Sequence, residues 1–321
     1  VARRRLKTVP QPIDPCFDDI LRAADRIAPY VRRTPVLAGE GPWAGLYFKC
    51  ENLQAVGAFK ARGACNAVFA LSDVAAERGV VTHSSGNHAA ALSRAARLRG
   101  IPAYIVMPRG APAVKRAAVE EWGGIVTECE PTLVSREATA AALCARTGGV
   151  LVHPYDDPAV IAGQGTALLE LTESMDSPDV VLAPVGGGGL LAGTALAARA
   201  RWPGVRVIGV EPVGADDAAR SWSSGILQPQ LAPATLADGL RGALSARTFR
   251  LAQAYVDDIV TVSEDAIVAA MRLLFDRLKL VVEPSGAVPL AAVLEGRVSA
   301  ARTAMILTGG NVDLSQLPWL K

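Results

Sequence analysis

Lys60 stands in the run Ala58-Phe59-Lys60-Ala61-Arg62-Gly63-Ala64. Its apolar neighbours invite desolvation. Burial disfavours the ammonium form and leaves an amine that is a better nucleophile toward an aldehyde. Taken alone, the run more readily describes an ordinary helix lysine with its tip in water. A second run, Thr82-His83-Ser84-Ser85-Gly86-Asn87-His88, follows an apolar strand pattern. Small hydroxyl residues and a glycine at a strand-to-helix turn aim backbone N–H groups at one point, which suits an anion such as a carboxylate. Ser85 could carry a proton there if a neighbour tuned it. A plain N-cap turn has the same composition.

The third run, Pro184-Val185-Gly186-Gly187-Gly188-Gly189-Leu190, lies between a strand pattern and a helix pattern. Four glycines let the backbone approach a ligand closely, and the helix start behind them favours phosphate. The lysine and spacing of a nucleotide P-loop are missing, so backbone groups would do the holding. Ordering four glycines is entropically costly, which argues against an idle turn. Thr308-Gly309-Gly310-Asn311 follows the last apolar run, where open α/β sheets carry ligand groups. A hydroxyl at Thr308 could bond a cofactor ring nitrogen; a simple turn is the alternative. Glu211 and Asp217 flank a loop with a free carbonyl, a donor set that suits a hard cation. Solvated loop carboxylates are the commoner case.

The elements that must position these groups are short apolar runs alternating with alanine-rich helical stretches. The runs cover 79–82, 103–107, 180–183, 205–210 and 304–307. Helical patterns cover 14–31, 61–71, 87–99, 114–122, 136–147, 163–173, 190–201, 266–278 and 286–294. This alternation predicts an α/β fold with mostly parallel sheets flanked by helices. Residues 180–198 carry no charge and are long enough to span a bilayer, yet Pro184 and the four glycines interrupt them. A strand, a turn and a buried helix are expected instead.

The chain has 321 residues, half of them hydrophobic, enough for one large or two intimate domains. Its 33 basic and 31 acidic residues leave a net charge of +2, with no polybasic run to suggest nucleic acid. Arg3-Arg4-Arg5 reads as a solvated tail. Cys16, Cys50, Cys65, Cys129 and Cys144 are scattered without metal-ligand spacing, the pattern of reduced thiols in a cytoplasm. Charges and prolines fill the first twenty positions, so no signal core is expected.

In this order, the runs resemble the fold-type II pyridoxal phosphate (PLP) enzymes, and within them the serine racemase and serine/threonine dehydratase family. The likeness extends from about 14 to 314. It includes Pro154 through Gly165-Thr166, Ala237-Asp238-Gly239, Val282-Glu283-Pro284 and Gly309-Gly310-Asn311-Val312-Asp313. The resemblance implies a two-domain, tryptophan synthase β-like architecture. A large domain would comprise 1–71 and 152–321, and a small domain 72–151 would close over substrate. It also implies a homodimer.

The same resemblance implies residue roles. Lys60 would hold the cofactor through its amine, with Phe59 packed on the ring. Asn87 would meet the phenolic oxygen and Thr308 the pyridine nitrogen. Gly186, Gly187, Gly188 and Gly189 would cradle the phosphate, and Gly239 and Glu283 would complete the cofactor site. Glu211, the Ala215 carbonyl and Asp217 would hold Mg²⁺, Ca²⁺ or Mn²⁺. Ser84, Ser85 and His88 would line the substrate carboxylate, with Arg136 on the substrate side. Lys60 and Ser85 would be the catalytic pair.

The implied activity is loss of water from L-serine or L-threonine, giving keto acid and ammonia. Serine racemisation would follow if Ser85 supplied a proton from the opposite face. The alternative is dehydration of threo-3-hydroxyaspartate. Gly57-Ala58 and Gly242 depart from the racemase pattern, and Arg241 could meet a second carboxylate. A catalytically silent PLP-binding regulatory protein is the more distant reading, opposed by the intact Lys60, Ser85 and Thr308.

Overall fold

The computed structural model describes residues 14–111 and 113–320. The Arg3-Arg4-Arg5 tail lies outside the described residues. In chain order the strands are β1 (Val36–Ala38), β2 (Leu46–Lys49), β3 (Val80–His83), β4 (Ala103–Pro108), β5 (Ile125–Cys129), β6 (Val150–Leu151), β7 (Val180–Pro184), β8 (Arg206–Pro212), β9 (Asp258–Val262) and β10 (Thr303–Ile306). The helices are α1 (Phe17–Ile27), α2 (Lys60–Ala70), α3 (Asp73–Ala76), α4 (Asn87–Arg99), α5 (Ala113–Glu121), α6 (Leu133–Thr147), α7 (Pro158–Thr172), α8 (Gly189–Arg201), α9 (Asp217–Ser224), α10 (Ala246–Tyr255), α11 (Glu264–Leu278) and α12 (Pro284–Leu294).

Two sheets organise these elements. One has the order β1-β2-β10-β7-β8-β9, the other β5-β4-β3-β6. Every neighbouring pair is parallel except the β1–β2 hairpin. In the six-stranded sheet β10 sits between β2 and β7, so both ends of the chain build it. Residues 80–151 build the four-stranded sheet. The expected α/β class with mostly parallel sheets is the observed one.

Local sequence explains the central elements. β7 reads Val-Val-Leu-Ala-Pro and is buried throughout, as a strand covered on both faces must be. The uncharged run 180–198 therefore divides into β7, a glycine turn and α8. Among the described residues no helix is long and apolar enough to cross a membrane. One apolar core packs α1, α7, α8 and α10 on one face of the larger sheet, and another packs α11 and α12 on the opposite face.

Several element boundaries differ from the sequence expectation. The first helix runs over Phe17–Ile27 rather than 14–31. Pro29 follows its C-cap and has no N–H with which to continue the helical ladder. The helix expected from Gly163 begins at Pro158, where Asp157 caps the N–H groups of Ala159 and Val160. The short β1, β2, β5, β6 and β9 and the helices α9 and α10 were not legible as periodic runs.

Candidate active site

The C-terminal ends of the parallel strands gather the chemically able segments, as open α/β sheets do. β3 leads into Ser84–Gly86, β7 into the tetraglycine turn and β10 into Thr308. Lys60 opens α2. Its Nζ donates to the Pro154 carbonyl at 2.7 Å and lies 5.1 Å from the centre of the Phe59 ring. Burial of the amine lowers its pKa from the ordinary 10.5 to about 8. Lys60 is half-buried and its amine is bonded to a carbonyl of the protein, unlike a fully solvated helix lysine. The Phe59 N–H bonds the Thr308 carbonyl at 3.0 Å, and Ala58 bridges to Gly309. These contacts lock the start of α2 to the end of β10.

Gly186, Gly187, Gly188 and Gly189 form the turn between β7 and α8. Gly188 has φ of +84°, a left-handed conformation that favours glycine. A methyl group on Gly187 would lie 2.2 Å from the Tyr155 ring, and one on Gly189 would lie 2.9 Å from the Tyr155 carbonyl. Close packing by Tyr155 thus demands two of the glycines, a reason the sequence did not offer.

Ser84 Oγ accepts from the Gly86 N–H at 3.3 Å, while the Ser85 side chain makes no hydrogen bond among the described residues. Asn87 Nδ2 donates to Glu283 Oε1 at 2.8 Å, and its Oδ1 accepts from Asn311 Nδ2 at 2.9 Å. One Asn87 N–H stays uncommitted. Burial, then the Asp238 charge, raises Glu283 to about 7. The Gly239 N–H donates to Ser285 Oγ at 3.0 Å, beside Glu283 at the start of α12. Thr308 is buried, and its hydroxyl makes no hydrogen bond among the described residues.

His88 is buried, with Nε2 3.4 Å from the Val152 carbonyl and Nδ1 unpartnered. Burial holds it neutral, well below the usual histidine range. Arg136, on α6, has no ion-pair partner among the described residues, and its Nε is buried without a hydrogen bond. It lies close enough for its charge to help lower the pKa of His83, chiefly a burial effect. Arg241 is exposed, and its Nη2 donates to the Thr235 carbonyl at 2.7 Å.

Glu211 lies in β8 rather than on an exposed loop, and both it and Asp217 are fully buried. Glu211 accepts from the N–H groups of Ala218 at 3.3 Å and Ala219 at 2.6 Å. Burial first, and Asp217 next among the charges, raises it to about 9; burial raises Asp217 to about 6. Ala215 ends the short turn between them. Among the described residues no group of three or more His, Cys, Asp or Glu could hold a metal. The remaining donors here would be the Ala215 carbonyl and water.

Three features escaped the sequence reading. His83, His153 and Tyr155 stack edge to face, with ring centres 5.2 and 4.6 Å apart. Lys115 of α5 pairs with Asp238 across the two sheets. Arg62, two residues after Lys60, is fully buried between Glu51 and Glu170, and Lys49 also bonds Glu170. Buried guanidinium and carboxylate groups need such pairing, but nothing in local sequence names the partners.

A desolvated lysine amine, a glycine turn behind a parallel strand and an unpartnered threonine hydroxyl at a neighbouring strand end define a fold-type II α/β enzyme. Residues 27–309 match the family described as pyridoxal-phosphate dependent enzyme, and the chain belongs to it. It is 51% identical over 311 residues to the beta-hydroxyaspartate dehydratase of Paracoccus denitrificans (strain Pd 1222), covering 95% of this chain and 99% of that one. The structure of maize serine racemase matches with a TM-score of 0.91 and 45% identity, over 95% of this chain and 96% of that one. The threonine deaminase of T.th. matches with a TM-score of 0.88 and 47% identity, over 94% of this chain and 99% of that one.

The residues present fit PLP. The Lys60 amine gives up its proton far more readily than an ordinary lysine, the glycine turn excludes side chains, and Thr308 and Asn87 keep donors uncommitted.

Proposed function

We propose that this enzyme removes water from small β-hydroxy amino acids, L-serine or L-threonine, releasing keto acid and ammonia, with serine racemisation as a side activity. The observation that carries the reading is the desolvated Lys60 amine, held by the Pro154 carbonyl among the strand ends. PLP, when bound, supplies a sink for the electrons left at the substrate α-carbon. Lys60 would hold the cofactor through Nζ, and the same amine would accept the α-proton of the substrate. The backbone N–H groups of Gly186–Gly189 would hold the phosphate. Asn87 would hold the phenolic oxygen and Thr308 would offer a neutral hydroxyl to the ring nitrogen. Gly239 and Glu283 shape the same pocket. Ser84, Ser85 and His88 face the substrate carboxylate, and the free Ser85 hydroxyl carries the proton needed for racemisation.

A second reading, threo-3-hydroxyaspartate as preferred substrate, is favoured by Arg136. A guanidinium without a carboxylate partner suits a second substrate carboxylate. The test is incubation with L-serine, L-threonine and L-threo-3-hydroxyaspartate in turn, measuring keto acid and resolving enantiomers. Keto acid from at least one substrate is expected. No turnover of any of them by PLP-loaded protein would leave a silent PLP-binding protein.

Two buried, mutually repelling carboxylates support a divalent cation at Glu211, Ala215 and Asp217 as part of this proposal. The proposal also includes a domain division at 72–151, which follows the four-stranded sheet, and a homodimer testable by sedimentation. Five cysteines free of disulfides support a cytoplasmic setting.

A further inference from the structure

The chain has three histidines, and the charge of Lys60 bears on two of them, His88 and His153. His153 lies in the segment that leaves β6 and enters α7. Its Nδ1 accepts from the Asp156 N–H at 2.9 Å and the Tyr155 N–H at 3.4 Å. The Tyr155 N–H belongs to the same peptide as the Pro154 carbonyl. In a trans peptide these two groups point in opposite directions. Turning the N–H toward the imidazole therefore turns the carbonyl away from it, and that carbonyl receives the Lys60 amine.

We propose that His153 is a positioning residue for the Lys60 amine, acting through the peptide between Pro154 and Tyr155. This inference rests on the reading that Lys60 carries the cofactor. The turn is held from both sides. Edge-to-face contacts with His83 and Tyr155 fix the imidazole. Arg247 Nη1 donates to the Asp156 carbonyl at 2.8 Å, and Asp157 caps α7. Proline fixes φ at position 154. Burial first, then the charges of His83, Lys60 and Arg247, lowers His153 to about 3, so Nδ1 remains an acceptor at any working pH. With one N–H on the Pro154 carbonyl, the neutral Lys60 amine keeps its lone pair in one direction.

A side chain that accepts from the N–H groups two and three residues ahead is what asparagine provides in an Asx turn. His153→Asn keeps the acceptor and loses the ring. His153→Phe keeps the ring contacts and loses the acceptor. The experiment compares apoenzyme of wild type and both variants for the pH dependence of PLP capture, followed by absorbance. Borohydride reduction and peptide mapping locate the label, and kcat and KM are measured for keto acid release from the best substrate.

Wild type should be labelled at Lys60 with a capture midpoint near 8. His153→Asn should keep that midpoint and most of kcat. His153→Phe should lose about ten-fold or more in kcat with little change in KM, because a misaimed reacting group costs rate. Its midpoint should move to lower pH, because the ammonium form loses a hydrogen-bond acceptor. If the phenylalanine variant misfolds, His153→Ala carries the same comparison. Label at Lys60 with no difference among the proteins overturns this inference alone, as does an equal loss in the asparagine and phenylalanine variants. Wild-type label away from Lys60 overturns the cofactor assignment and this inference with it.

Discussion

Asn87 donates to the Glu283 carboxylate at 2.8 Å from a position 196 residues earlier in the chain. One residue opens α4, which follows β3 of the four-stranded sheet. The other caps α12, which packs on the six-stranded sheet. The contact ties an element beside the four-stranded sheet to one packed on the six-stranded sheet. It also fixes a pH dependence. Glu283 is raised to about 7 in the folded protein, above its value in the unfolded chain. Its contribution to stability is therefore fully present below the ordinary glutamate pKa and is lost as pH rises through about 7. The melting temperature of the apoenzyme should fall across that window, by at most roughly 1.4 kcal/mol of stability per pH unit. Glu283→Gln should flatten the profile, and thermal melts at several pH values check this.

Lys60 shows the opposite sign. Its folded pKa lies below its unfolded value, so the group's contribution is present above about 10.5 and is lost as pH falls through about 8. Lys60→Met should therefore make the apoenzyme more stable at pH 7 while abolishing covalent PLP retention and keto acid release. Calorimetry and the absorbance of the purified protein report the two effects separately.

Gly187→Ala should be damaging for a reason apart from the phosphate. The added methyl group would lie 2.2 Å from the Tyr155 ring. Overpacking of this kind costs about 1–3 kcal/mol. Tyr155→Ala in the same chain should recover part of the lost stability, and a double-mutant cycle measured by denaturant unfolding would show the coupling.

Adding Mg²⁺, Ca²⁺ or Mn²⁺ should raise the melting temperature, and chelation should lower it. A ligand at a hundred times its Kd stabilises by about 2.7 kcal/mol. Asp217→Asn should abolish the response. An unchanged melting curve under chelation and in the variant would remove the cation from the proposal.

Arg62→Met should destabilise the fold by about 3–5 kcal/mol, because Glu51 and Glu170 would lose their guanidinium partner in a buried setting. Arg62→Lys should recover only part of it, since an ammonium cannot serve both carboxylates in the planar geometry of arginine. Denaturant titrations of the two variants check the order.

Local chemistry was legible in the chain itself. Lys60 among apolar neighbours, four glycines between a buried strand and a buried helix, and small hydroxyl residues at a strand end each act through their immediate surroundings. Residue type and spacing state what these groups could do, while their partners, such as the Pro154 carbonyl at Lys60 and Tyr155 at the glycine turn, come from distant segments. The α/β alternation was readable because burial on both faces writes continuous apolar runs such as β7. Partnership between distant residues was decided only by the tertiary structure. Sheet order brings β10 beside β2 and β7, and with it Thr308 beside Phe59. Glu283 meets Asn87, Arg62 is enclosed by Glu51 and Glu170, and His153 turns a carbonyl toward Lys60. Each is a directional contact between segments that approach only when the helices pack, and directional contacts leave no period in a sequence.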